Sequence, residues 1–155
     1  MGIGYVASAH NFYEGRLTLA GDEPVSPGTL VSADFAAGTF KLGVEANKPV
    51  FFLAQEIDEP IEYGINDVDQ MVKVGKYGKL APVAEGMQYK TTEGTAPLVA
   101  GDVCTFTSGK FVKSSAGTAG ADWLVTQVDT IADVPVYSLA YNKAAAAASA
   151  GGQGN

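Results

Sequence analysis

The sequence predicts an all-β fold, a single β-sandwich or barrel-like domain with an internal pseudo-repeat. Three observations carry this expectation. From Thr29 onward, short apolar runs rich in Val, Thr and aromatics recur between Gly, Pro, Asn or Asp, the texture of short strands joined by tight turns. The segment GTFKLGVEANKPVFFLAQEID, Gly38 to Asp58, is echoed without a gap by GKFVKSSAGTAGADWLVTQVD, Gly109 to Asp129. Glycine supplies 19 of the 155 residues. It marks the tips where the chain must reverse.

The length fits one domain, since domain sizes peak at about 100–150 residues. The organisation expected is an N-terminal arm over 1–27, a β domain over 28–143 and an Ala/Gly-rich tail over 144–155. The arm mixes Gly, Pro and small polar residues with isolated aromatics, and holds at most one short strand around RLTLA. SPGT at 26–29 sets Pro27 and Gly28 where a turn wants a fixed φ followed by a permissive residue. TLVSADF and TFKLGV then form a hairpin around AAGT, with Gly38 at its tip.

Lys48-Pro49 opens VFFLAQEI with a proline, which a strand tolerates at its start. VFFLA is apolar at every position and needs cover on both faces. QMVKV and LAPV follow as strands, with Lys73, Lys76 and Lys79 on a hairpin. VCTFT and KFVK flank the Gly109 tip, and WLVTQV and PVYSLAY close the domain. WLVTQV alternates more than VFFLA, so it should have a wetter face. The tail, AYNKAAAAASAGGQGN, is too short for a lone helix despite its alanines, because about 12–15 residues are needed for marginal helicity. It is expected to be disordered in isolation.

In the echo, Gly38 aligns with Gly109, Phe40 with Phe111, Phe52 with Trp123, Leu53 with Leu124, Ile57 with Val128 and Asp58 with Asp129. The repeat spans about 28–59 and 101–130. Turn and core positions persist while the polar residues between them diverge. A duplicated active site would keep its polar groups, so the repeat is scaffold.

Composition excludes several classes of partner. Charged residues make up 17% of the chain, against about 25% in typical soluble domains, and leave a surface that is cheap to desolvate against other subunits. The net charge of −7 opposes the basic stripe of a nucleic-acid binder, and anionic lipid is disfavoured too. No run approaches the roughly 20 apolar residues of a membrane span, and the start lacks the pattern of a signal peptide.

The chain offers few residues suited to chemistry. Cys104, the one cysteine, lies in a β-like run and reads as a buried hydrophobe. His10, the one histidine, sits on the arm away from any nucleophile or carboxylate pair. Glu56, Asp58, Glu59, Glu62, Asp67 and Asp69 form an acidic stretch without the spacing of a Ca²⁺ loop or a glycosidase pair. It reads as a solvated edge, or as a patch that meets the lysines of a neighbouring copy. KVGKYGKLAP fails as a phosphate loop, because Lys73 occupies the first glycine position and Leu80 follows Lys79. No cofactor or metal is called for, and the chain reads as a non-enzyme.

PGTLVSADFAAGTFKLG, PVFFLAQEIDEP and LVAGDVCTFTSGKFVKS together resemble the pattern of capsid decoration (cement) proteins of tailed bacteriophages. The likeness covers roughly residues 25–140 and rests on turns and strand texture. It implies a virion protein on the capsid exterior, made in the host cytoplasm. Such a protein braces major capsid protein subunits, often as a homo-trimer. Terminal arms in such proteins reach onto the shell or an adjacent copy, which puts candidate contacts at Tyr5, His10, Phe12, Tyr13 and Arg16. A second reading is a carbohydrate- or receptor-binding β module, with Trp123 and Asp122 as its platform. A third is a hydrolase using Asp58 and Glu62.

Overall fold

The computed structural model describes residues 4–6, 17–54, 71–95 and 97–143, and these form eleven strands in two sheets. Two strands precede the turn at Pro27: β1 (Gly4–Val6) and β2 (Thr18–Leu19). The first half of the domain contributes β3 (Leu30–Asp34), β4 (Thr39–Leu42), β5 (Val50–Ala54) and β6 (Lys79–Pro82). After β7 (Gln88–Thr91), the second half contributes β8 (Val103–Thr107), β9 (Lys110–Ser114), β10 (Trp123–Ile131) and β11 (Val134–Tyr141). The all-β domain expected from the sequence, a sandwich or barrel-like body, is the fold observed, in two sheets.

One sheet runs β2-β4-β3-β5-β6 and the other β1-β7-β11-β10-β8-β9. The echo is therefore a repeated topology. In each half a hairpin forms first, and the next strand returns antiparallel to the far side of the hairpin's first strand. A fourth strand then pairs with that returning strand, giving β4-β3-β5-β6 and β9-β8-β10-β11. The tip glycines adopt the left-handed backbone expected of them, Gly38 at φ 70° and Gly109 at φ 80°. The tips differ in length. Asp34 pairs with Thr39 across a four-residue loop, whereas Thr107 pairs with Lys110 across Ser108 and Gly109 alone.

Two cores result. Between the sheets, Leu30, Phe52 and Ala81 of the first half meet Tyr89, Cys104, Phe111, Trp123 and Leu139. Trp123 sits at the centre, with ring centroids 5.2–5.3 Å from Tyr89, Phe111 and Tyr141, edge-on separations that aromatic pairs favour. On the outer face of the first sheet, Leu17, Leu19 and Val25 cover Val31, Ala33, Phe40, Leu53 and Leu80. VFFLA is thus covered on both faces: Phe52 and Ala54 point to the central core and Leu53 to the outer one.

Residues 17–27, grouped with the arm on sequence, pack as part of the domain. Leu17 and Leu19 are only 4% and 2% exposed, because with Val25 they cover a second apolar face of the first sheet, where Val72 also packs. The described residues of the stretch 1–27 also hold two strands where at most one was expected. The strand expected at QMVKV reduces to a single bridge between Val72 and Val25, and Lys73 and Lys76 lie on a turn closed by the Lys76 N–H donating to the Lys73 carbonyl at 3.0 Å. Lys79 opens β6. The strand β7 was not anticipated. Its Tyr89 and Thr91 are fully buried between Gln88 and Lys90, a period-2 pattern too short to stand out.

At the switch from β6 to β7 the chain passes from one sheet to the other. The Tyr89 hydroxyl fixes this corner, donating to the Pro82 carbonyl at 2.6 Å and accepting from the Ala84 N–H at 3.4 Å. Burial pushes its pKa up to about 12, so it stays a donor throughout the physiological range. Cys104 is fully buried as expected, and its thiol is pushed up to about 11, again chiefly by burial.

Candidate functional site

Each half carries one crossover loop, Gly43 to Pro49 in the first and Ser115 to Asp122 in the second, and the two loops face each other across a groove of about 430 Å³. The first loop is pinned from below. Ser32, 3% exposed on β3, donates through its hydroxyl to the Gly43 carbonyl at 2.7 Å and accepts the Glu45 N–H at 2.8 Å. Lys48 then bridges Asp34 and Glu45 at 3.2 and 3.3 Å. The second loop is wound tightly, the Ala121 N–H donating to the Thr118 carbonyl at 3.0 Å. It is tied to the end of β11 by the Asn142 N–H donating to the Asp122 carbonyl at 2.8 Å.

The groove lining combines aromatic, aliphatic and polar side chains. Phe106, Trp123 and Tyr141 line it together with Leu30, Val50 and Val83. Thr105, Thr107, Ser114 and Thr118 add hydroxyls, and Asp122 is the one charged residue in the lining. At the first loop Val44 lines the groove while 56% exposed, and two residues before it Leu42, 43% exposed, approaches the Gly109 tip. The Tyr141 hydroxyl is held above its ordinary pKa by burial, then by the nearby carboxylates of Asp122 and Glu85. It remains a neutral donor beside them.

Two buried carboxylates elsewhere are structural. Glu93 pairs with Lys110, and Asp102 pairs with Lys113 at 2.8 Å while accepting the Val99 N–H at 2.9 Å. Both tie β9 to the connection between β7 and β8. Lys113 and the Val99 N–H together hold the Asp102 carboxyl below its usual range.

Of the residues singled out on sequence, Trp123 and Asp122 both reach the groove. Trp123 is 3% exposed and serves the core, so only its buried ring borders the space. Tyr5 lies on β1 opposite Lys90. His10, Phe12, Tyr13 and Arg16 lie outside the described residues, as do Glu56, Asp58, Glu59, Glu62, Asp67 and Asp69. On sequence, Phe106 and Tyr141 stand out only as strand residues. Their role in the groove depends on how the two halves meet, which no local pattern encodes. Among the described residues no three His, Cys, Asp or Glu side chains cluster as a metal site, and no helix is long and apolar enough to cross a membrane. A scan against protein-family models and a search of curated proteins find no match to this chain.

Proposed function

We propose that this chain is a structural virion protein that binds the outer surface of an assembled phage capsid and stabilises it by bridging major capsid protein subunits. The observation that carries the reading is the apolar rim at the seam of the two halves. Leu42 and Val44 stand 43% and 56% exposed beside a groove lined by Phe106 and Tyr141. Apolar surface of this kind on a thinly charged body marks an interaction site. A folded scaffold that offers such a seam needs no chemistry of its own, and multivalent attachment on a lattice makes weak individual contacts firm. The resemblance of residues 25–140 to decoration proteins points to the same partner. A carbohydrate-binding module needs an exposed ring, and Trp123 at 3% exposure offers none.

The test mixes purified protein with expanded phage heads that lack their own decoration protein. The reading expects the protein to pellet with the heads and the heads to gain resistance to heat and chelators. Protein left in the supernatant, with no gain in resistance, overturns it. A glycan array that binds the protein while heads do not would favour the carbohydrate reading.

A further inference from the structure

We propose that the groove between the two crossover loops receives an arginine side chain presented by a partner protein, stacked against Tyr141 and paired with Asp122. The size is suitable. Ligand pockets run from about 300 to 1,000 Å³, and this groove, at about 430 Å³, has room for a long side chain and the backbone that carries it.

The lining selects the chemistry. Phe106 and Tyr141, both half-buried, present aromatic surface beside the buried Trp123 ring, and such surface attracts a cation through the ring quadrupole. Asp122 is the one charged residue in the lining, and among the described residues no side chain pairs with its carboxylate. Lys143 shares the neighbouring surface of the same loop with Asp122 but does not line the groove, and the two form no ion pair among the described residues. A wholly apolar occupant would strip water from that carboxylate and return nothing. An anion would meet Asp122 and a chain of net charge −7.

Arginine suits the site better than lysine. Its planar guanidinium can lie on a ring while its edge donates two hydrogen bonds to a carboxylate, and its remaining N–H groups match hydroxyl acceptors such as Thr105 and Thr107. The ammonium of lysine is more strongly hydrated and stacks less well. The inference does not rest on the capsid reading, because any protein that displays such an arginine would fit.

Trp123 is the chain's one tryptophan and its ring borders the groove, so its fluorescence responds to an occupant there. The full chain is titrated with N-acetyl-arginine amide, and in parallel with N-acetyl-citrulline amide, a neutral counterpart of nearly the same shape, and with methyl glucoside. The arginine compound should give a saturable change, with the citrulline compound at least ~10-fold weaker. Asp122→Asn and Tyr141→Leu should each weaken the arginine response by ~10-fold, while thermal melts show both variants folded. Three results would each overturn the proposal: no saturable change with arginine, an equal response to citrulline or methyl glucoside, or an undiminished response in folded Asp122→Asn. Because no capsid is present, failure here leaves the capsid reading standing, and failure of head binding leaves this one standing.

Discussion

The two halves share a strand order but send their first aromatic to different places. Phe40 and Phe111 each lie two residues past a tip glycine, and both are fully buried. Phe40 fills the outer core beneath Leu17 and Leu19, whereas Phe111 joins the central core against Trp123. The cause is parity. In the first half the residues opposite Phe52 and Phe40 are Leu30 and Ala33, an odd step along β3. In the second, the residues opposite Trp123 and Phe111 are Cys104 and Phe106, an even step along β8. Successive strand residues alternate faces, so an odd step puts Phe40 on the face opposite Phe52, and an even step keeps Phe111 beside Trp123. The first sheet therefore has two apolar faces and needs a cover, which residues 17–25 supply.

Deleting residues 1–20 attacks that asymmetry most directly. It removes Leu17 and Leu19 from the outer core, and each buried leucine is worth ~2–5 kcal/mol. Their sum rivals the ~5–15 kcal/mol that holds a domain together, so calorimetry of the shortened chain should show no cooperative melt. A sharp melt near that of the full chain would mean the outer core needs no cover.

The aromatic pair itself comes next. Phe40→Ala and Phe111→Ala should each cost ~3–5 kcal/mol in urea unfolding. Phe111→Ala should exceed Phe40→Ala by ~1 kcal/mol, because it also forfeits ring contacts to Phe106 at 5.0 Å and Trp123 at 5.2 Å. The reverse order would contradict the placement of Phe111 in the central core.

Two glycines press on the two cores in the same way. A Cβ at Gly78 would stand 2.6 Å from the Phe40 ring, and one at Gly94 would stand 2.6 Å from the Tyr137 ring. Gly78→Ala and Gly94→Ala should each cost ~1–3 kcal/mol through overpacking, read as a lowered urea midpoint with unchanged slope.

How much of this was legible in the sequence follows from the range of each signal. Strands β3, β4, β5, β6, β8, β9, β10 and β11 announced themselves through apolar runs bounded by turn residues, and Gly38 and Gly109 through the reversals they permit. VFFLA gave away its double burial because no position in it is polar. The cover at Leu17 and Leu19 did not show, since two leucines among Arg16, Thr18 and Ala20 resemble any short strand. Its destination is fixed by the register of β3, more than ten residues away. The groove was only half legible. Asp122 and Trp123 are neighbours in the chain, but Phe106, Tyr141 and Val44 come from separate segments that meet only when the halves close.

Smaller effects refine the account at the surface. Ala132 and Asp133 hold φ 49° and 64° at the tip of the β10–β11 hairpin, where glycine or asparagine is preferred. Replacing them with Asn-Gly should raise stability by ~1 kcal/mol. The smallest effect is on pH dependence. Asp102 titrates lower in the fold than in the unfolded chain, so its contribution is present above about pH 4 and fades as pH falls through the folded value. Asp102→Asn should flatten that acid-side slope in melts taken between about pH 2 and 5, and an unchanged slope would contradict the lowered titration of Asp102.

The central claim is that two scaffold halves meet at a seam and that the seam is what a partner touches. Amide hydrogen exchange of the chain, free and bound to expanded phage heads, tests this most directly. The account predicts new protection concentrated over Leu42 to Val50, Thr105 to Thr107 and Thr118 to Trp123, with little change over the β10–β11 tip. Protection elsewhere with the seam unchanged, or no head-bound protein at all, would contradict it.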